Sequence, residues 1–358
     1  MKTLIIAEVG VNHNGDMNLA KVLIDAAHQA GADIVKFQTF NASSLVTETA
    51  KQASYQSRNA GKEESQFDML KRLELSHSQH VDLKGYCDRL GLEFLSTAFD
   101  DDSLDFLVND IGVKRLKIPS GEITNAPFLL RHAQTGANLI MSTGMANLSE
   151  IEQALGVLAF GMLNPITESP SRSAFLKAYG SSEGQALLKQ RVTLLHCTSD
   201  YPAPIEQINL EAINTLRSAF GLPVGYSDHS AGITVPIAAA TMNASVIEKH
   251  FTLDRNLPGP DHKASLEPDE LQRMVQAIRD VELAKGDGVK RPTLNEFETM
   301  SVARKSLVAA RNIRIGQRIT VDDVAVKRPG DGMSPFLLWE LIGKVSQRNY
   351  QPGDLFDE

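Results

Sequence analysis

Two cysteines and one tryptophan are all that the 358 residues contain of either type. Cys87 and Cys197 lie far apart without metal-type spacing. They build neither a disulfide framework nor a thiolate cluster, and a reducing compartment suits them. No run approaches the roughly 20 apolar residues that a membrane helix needs. The opening MKTLIIAEVG has one basic residue, and its apolar run breaks at Glu8, too short for a signal peptide. A cytoplasmic protein without membrane attachment is expected. Cations are also scarce: 36 Lys and Arg against 44 Asp and Glu, a net charge of −8. That balance argues against nucleic-acid partners and leaves room for a local basic pocket. The first β-prone run continues as EVGVNHNG, without the G-x-G-x-x-G of a dinucleotide fold.

What is there is a repeated unit. Short runs rich in Val, Ile and Leu end in polar clusters, and segments with helical spacing of apolar residues follow. The runs are Leu4–Gly10, Ile34–Phe40, Glu93–Phe99, Arg115–Ser120, Leu139–Gly144, Thr193–Ser199, Val224–His229 and Val246–Phe251. Helical spacing marks Asn18–Ala30, Ser76–Leu90, Asn125–Gln134, Leu148–Ala159, Asn209–Phe220 and Thr234–Asn243. Strands alternating with helices predict parallel pairing, and eight units predict a closed (β/α)8 TIM barrel rather than an open doubly wound sheet. Two segments break the rhythm. Asn41–Gln66 reads as a polar loop over the barrel mouth, and Leu163–Arg191, with Pro165 and Pro170, as a loop-like insertion. A helix over Pro268–Lys285 closes the barrel domain, 1–285. A linker, 286–296, leads to a small β-rich domain, 297–358, of short strands and Gly-bearing turns.

In such a barrel the catalytic side chains stand where strands end. The strand ends predict one polar ring: Glu8, Lys36, Gln38, Ser96, Thr97, Lys117, Ser120, Ser142, Thr143, His196, Thr198, Ser227, Asp228, His229, Glu248 and His250. Two lysines among hydroxyls suit a small phosphorylated anion, since ammonium is a compact charge and Ser or Thr can donate hydrogen bonds. Either lysine alone reads as a surface charge or a structural ion pair, and it is the two in one ring that point to an anion. His229 and His250 end neighbouring strands, with Asp228 and Glu248 close in sequence. They read either as structural histidines or as a pair converging on one metal. Two imidazoles plus oxygen ligands suit Mn²⁺, with Zn²⁺, Co²⁺ or Mg²⁺ as alternatives, acting as a Lewis acid on a carbonyl oxygen.

The strings AEVGVNHNGD, ADIVKFQTF, FLSTAFD, LKIPSGEITN, IMSTGM, LLHCTSDYP, GYSDHS, VIEKHFTLD and LPGPDH follow one another in this chain. In that order they resemble the sialic acid synthases, which make N-acetylneuraminate, legionaminate or pseudaminate. The tail ARKSLVAARNIRIGQ…DVAVKRPGDGMSP is similar to the antifreeze-like (SAF) domain of that family. The resemblance implies condensation of phosphoenolpyruvate with an N-acetylated amino-sugar aldehyde, N-acetylmannosamine or a 2,4-diacetamido-6-deoxy analogue, giving a nine-carbon sugar acid and phosphate. It implies metal ligation by His229 and His250, and phosphoenolpyruvate binding by Lys36, Thr97, Lys117, Ser120, Ser142 and Ser227. Sugar contacts fall on Glu8, Gln38, Tyr201 and Asp261, with Glu122 and Ser199 as further substrate-binding candidates. Glu8 has two readings, a base that assists water and an anchor for sugar hydroxyls. Arg328 of the second domain is implied to reach a neighbouring subunit's site, which requires a domain-swapped homodimer. Ser199 stands where some N-acetylneuraminate synthases carry Asn, and RLKIPSGEITN and LPVGYSDHS lean toward legionaminate-type members. A class I aldolase with Lys36 or Lys117 as Schiff-base lysine is a competing reading. So is a non-catalytic sugar-binding protein of polysaccharide assembly.

Overall fold

The computed structural model describes residues 2–52, 64–164 and 168–357. Eight parallel strands close into a barrel in sequence order: β1 (Leu4–Gly10), β2 (Ile34–Thr39), β3 (Glu93–Ala98), β4 (Arg115–Ile118), β5 (Asn138–Ser142), β6 (Val192–Cys197), β7 (Val224–Asp228) and β8 (Val246–His250). Each predicted run overlaps one of them. The TIM-barrel expectation holds, closed by the pairing of β1 with β8.

Side chains alternate between the two faces of a strand, and here that alternation builds the interior in layers. Ile6, Ile34, Leu95, Ile140, Leu195 and Val246 pack together as an apolar floor inside the barrel. Two residues further along the same strands stand Glu8, Lys36, Thr97, Ser142, Cys197 and Glu248, and all six line the cavity above. Residues of opposite parity, such as Val35, Phe37, Leu116, Met141, Leu194 and Tyr226, face outward into the main core with the helices. Each fully buried aliphatic or aromatic side chain there contributes about 1.5–3 kcal/mol.

The helices begin at side-chain caps. Ser76 and Gln79 form a capping box at His77–Leu90, and Asn147 and Glu150 one at Leu148–Leu163, which satisfies amide groups that the first turn leaves open. Between Leu163 and Arg191 the expected loop is not what forms. Ser171 and Ser181 instead cap two helices, Arg172–Gly180 and Ser182–Arg191, so serines that suggested a loop are N-caps. Pro165 and part of the Asn41–Gln66 segment lie outside the described residues. In the remainder of that segment a short helix, Ala42–Leu45, precedes an isolated bridge between Lys51 and Ser65. Helix Gln66–Leu73 follows it.

The chain divides into two compact units, Met1–Gly286 and Asp287–Glu358. In the second, helix Leu294–Ala303 runs from the expected linker into the predicted domain. Strands β9 (Ser306–Ala309) and β10 (Val324–Lys327) pair antiparallel. Its own core contains Leu307, Ile313, Ile319, Met333, Leu341 and Phe356. Among the described residues no helix is long and apolar enough to cross a membrane.

Candidate active site

A cavity of about 580 Å³ opens at the C-terminal ends of the strands, and all fourteen candidates from the barrel line it: Glu8, Lys36, Gln38, Thr97, Lys117, Ser120, Glu122, Ser142, Ser199, Tyr201, Ser227, His229, His250 and Asp261. Arg328, in the second unit, is exposed, and its Nε donates to the Ala303 carbonyl at 3.0 Å.

Glu248 is the hub. Lys117 Nζ donates to its two oxygens at 2.8 and 3.0 Å, and Ser227 Oγ donates to one of them at 2.7 Å. Lys36 Nζ lies 3.4 Å from the same carboxylate and 2.8 Å from Glu8, and donates to Thr97 Oγ1 at 3.3 Å. Burial works against the Glu248 charge, but Lys117 and Lys36 outweigh it and hold the carboxyl well below its usual range. Burial wins at Glu8, whose carboxyl is pushed up although Lys36 pulls the other way. It also lowers Lys117, while at Lys36 the two carboxylates overcome it and raise the pKa. The local basic pocket that the two lysines suggest is therefore corrected. Two lysines and four carboxylates (Glu8, Glu122, Glu248, Asp261) line the cavity, and each lysine is already paired.

The predicted polar ring is corrected as well, because neighbouring residues on a strand face opposite ways. Asp228 points out of the barrel, where Lys249 Nζ lies 2.5 Å from it and Tyr226 OH donates to it at 3.0 Å. Ser96 shares a 2.7 Å hydrogen bond with Thr39, and His196 Nε2 is bonded to the Ile208 carbonyl. Thr143 donates to the Leu195 carbonyl. None of these four lines the cavity, and Thr198 contributes only its backbone carbonyl, at 2.6 Å from His229 Nδ1. Glu248 stood in the predicted ring but was given no role. Parity with His250 puts it inside, and parity with His229 puts Ser227 inside and Asp228 outside.

A carbonyl only accepts, so the Thr198 contact fixes the proton of His229 on Nδ1 and leaves an Nε2 lone pair. Burial pushes His229 down to about 4 and, together with His229 and Lys36, holds His250 well below its usual value. Two neutral imidazoles with ring centroids 5.7 Å apart result. That chemistry fits a divalent metal. No group of three His, Cys, Asp or Glu among the described residues could hold one, so the other ligands would be oxygens of substrate or solvent. The Tyr201 ring packs 4.1 Å from His229.

Two glycines shape the floor of the mouth. Gly144 N donates to Ser120 Oγ at 3.0 Å, and a Cβ there would lie 2.5 Å from Ser199 Oγ and 2.8 Å from Ser120 Oγ. Gly10 adopts φ +55 at a register shift in β1, and a Cβ would crowd Glu8, Gln38 and His250.

A model of the NeuB family matches residues 23–290, and an SAF domain model matches 304–357. The chain belongs to the NeuB family. Within it, two relatives named N,N'-diacetyllegionaminic acid synthase are similar over nearly the whole length. The one from Campylobacter jejuni is 45% identical over 100% of this chain and 99% of its own. The one from Legionella pneumophila is 46% identical over 99% and 93%. A human relative, N-acetylneuraminate-9-phosphate synthase, is 33% identical over 95% of this chain and 87% of its own.

Proposed function

We propose that this chain is a phosphoenolpyruvate-dependent nonulosonic acid synthase that adds three carbons to an N-acetylated six-carbon amino-sugar aldehyde. The observation that carries this reading is the convergence of Lys36 and Lys117 on a cavity that also presents two neutral imidazoles. The names of the full-length relatives support the same reaction.

Lys36, Lys117, Thr97, Ser120, Ser142 and Ser227 receive phosphoenolpyruvate, and preorganised charges of this kind are commonly the largest catalytic contribution. His229 and His250 would hold a divalent ion, Mn²⁺ by donor type, which when bound supplies Lewis-acid polarisation of the aldehyde carbonyl. C3 of phosphoenolpyruvate attacks the aldehyde carbon, and the aldehyde oxygen takes up a proton to become a hydroxyl. Water adds at C2 and gives a proton to a carboxylate. The C2–O bond then breaks, leaving a ketone and inorganic phosphate. Glu8 is the base for the water, since its raised pKa suits proton uptake near neutrality, and Gln38, 3.5 Å away, holds it beside the acceptor. Gln38, Glu122, Ser199, Tyr201 and Asp261 contact the sugar.

The reading includes a cytoplasmic, domain-swapped homodimer in which Arg328 serves the partner subunit's cavity. Its exposure, with Nε held by the Ala303 carbonyl, supports that role, and both cysteines are buried and free.

Phosphate release from phosphoenolpyruvate, measured with N-acetylmannosamine and with its 2,4-diacetamido-6-deoxy counterpart, tests the reaction. Acceptor-dependent release with loss of the aldehyde is expected. Borohydride trapping of pyruvate on Lys117, whose lowered pKa also suits a Schiff base, would establish an aldolase instead.

A further inference from the structure

The two histidines stand one residue beyond a pair of strands that is tied on both faces. β7 and β8 run parallel, with Ser227 opposite Glu248 and Asp228 opposite Lys249. Inside the barrel, Ser227 Oγ donates to Glu248 at 2.7 Å. On the outer face Lys249 Nζ lies 2.5 Å from Asp228, and both side chains are wholly buried. His229 and His250 are the next residues along the two chains.

The outer pair does more than bridge two strands. Asp228 Oδ1 accepts from Tyr226 OH and from the amide of Ser230, each at 3.0 Å. Lys249 Nζ also donates to the Ser230 carbonyl. The backbone is therefore held on both sides of His229, at 228 and at 230. His250 depends on its backbone even more, because its Nδ1 has no hydrogen-bond partner among the described residues. Register is decisive here, since a slip of one residue turns every side chain of a strand to the other face.

Stability does not account for this arrangement. Taking two charges out of water costs about what their attraction returns, and apolar residues of similar volume often serve a core as well. What a buried, fully bonded pair supplies is a single geometry. We propose that Asp228 and Lys249 are positioning residues. From the outer face of the barrel they fix β7, β8 and the turn at 228–230 so that the imidazoles of His229 and His250, with centroids 5.7 Å apart, converge on one divalent ion. Neither residue lines the cavity, so both act through the histidines that follow them. The inference rests on the metal reading above.

Calorimetric titration of the metal-stripped full chain with Mn²⁺, read beside urea unfolding, tests it. Asp228→Asn combined with Lys249→Met removes both charges at once, so neither is left buried alone. The expected result is a urea midpoint close to the wild type's and a Mn²⁺ Kd raised about ten-fold or more, the usual loss when a group that supports a metal ligand is removed. Tyr226→Phe takes one hydroxyl from Asp228 and keeps the ring. It asks the same question if the double variant fails to fold, with a several-fold rise in Kd expected. A pair that only stabilises the fold would do the reverse, lowering the urea midpoint and leaving the Mn²⁺ Kd of the folded chain unchanged. That result overturns the inference and leaves the metal site standing. So does wild-type Mn²⁺ affinity in a folded double variant, or in Tyr226→Phe where the double variant does not fold. No Mn²⁺ uptake by the wild-type chain overturns the metal reading and this inference together.

Discussion

Lys117 crosses the barrel to Glu248, with its ammonium 2.8 Å from one carboxylate oxygen and 3.0 Å from the other. The two residues stand on β4 and β8, four strands apart, and both are almost entirely buried. Removing one partner of a buried pair leaves an uncompensated charge that costs roughly 3–5 kcal/mol. Glu248→Ala leaves Lys117 without its carboxylate partner and Lys36 with Glu8. A clear fall in the urea midpoint is expected. A variant as stable as the wild type would show that solvent, not Glu248, neutralises the lysines.

Lys117→Ala tests the proposal that this ammonium is matched to the phosphate end of phosphoenolpyruvate. A charged hydrogen bond in a closed site is worth about 1.5–3 kcal/mol, or roughly ten- to a hundred-fold. Steady-state kinetics should place that loss in the phosphoenolpyruvate terms. A defect confined to the sugar would contradict the assignment.

Metal removal should abolish turnover, with Mn²⁺ restoring it better than Ca²⁺, because two imidazoles favour a transition ion over a hard oxygen-seeking one. His229→Ala and His250→Ala should each lose activity and Mn²⁺ binding by calorimetry while keeping the circular dichroism of the fold. Full activity after chelation would refute the metal site.

Asp261 gives a pH signature. Burial pushes its carboxyl up to about 6 from the usual 3.8. The folded state thus holds a proton between pH 4 and 6 that the unfolded chain has released. Stability from this group is complete below pH 4 and is lost as pH rises through 6, by up to about 3 kcal/mol. Asp261→Asn stays neutral throughout. The variant's urea midpoint should gain on the wild type's from pH 4 to pH 6 and level off above about 7. A constant gap would mean that the carboxyl titrates normally.

Arg328 tests the dimer. Arg328→Ala and His250→Ala subunits, each inactive alone, should regain partial activity when mixed, since a swapped dimer assembles one site with both residues intact. Subunit exchange is followed separately, by mass spectrometry of differently tagged chains. Exchange without rescue would mean that Arg328 does not serve a partner's cavity.

Much of this protein is local, and the sequence alone determines it. Strand period, helix spacing and the order of polar strand ends predict the barrel, because alternation is a property of each strand by itself. Parity carries that reach further: Ser227 shares a face with His229, and Glu248 with His250, so Asp228 and Lys249 point outward. The Leu163–Arg191 helices were hidden because a serine that caps a helix and one that sits in a loop look alike in sequence. Other features were decided only by barrel closure. Lys117 and Glu248 are distant along the chain and meet because β4 and β8 face each other across the interior, where low dielectric makes opposite charges seek one another. The pairing turns an expected basic pocket into a balanced one. The apolar cluster at the mouth likewise depends on folding, since Phe40 beyond β2, Met69 of helix Gln66–Leu73 and Phe99 beyond β3 meet only in the folded barrel.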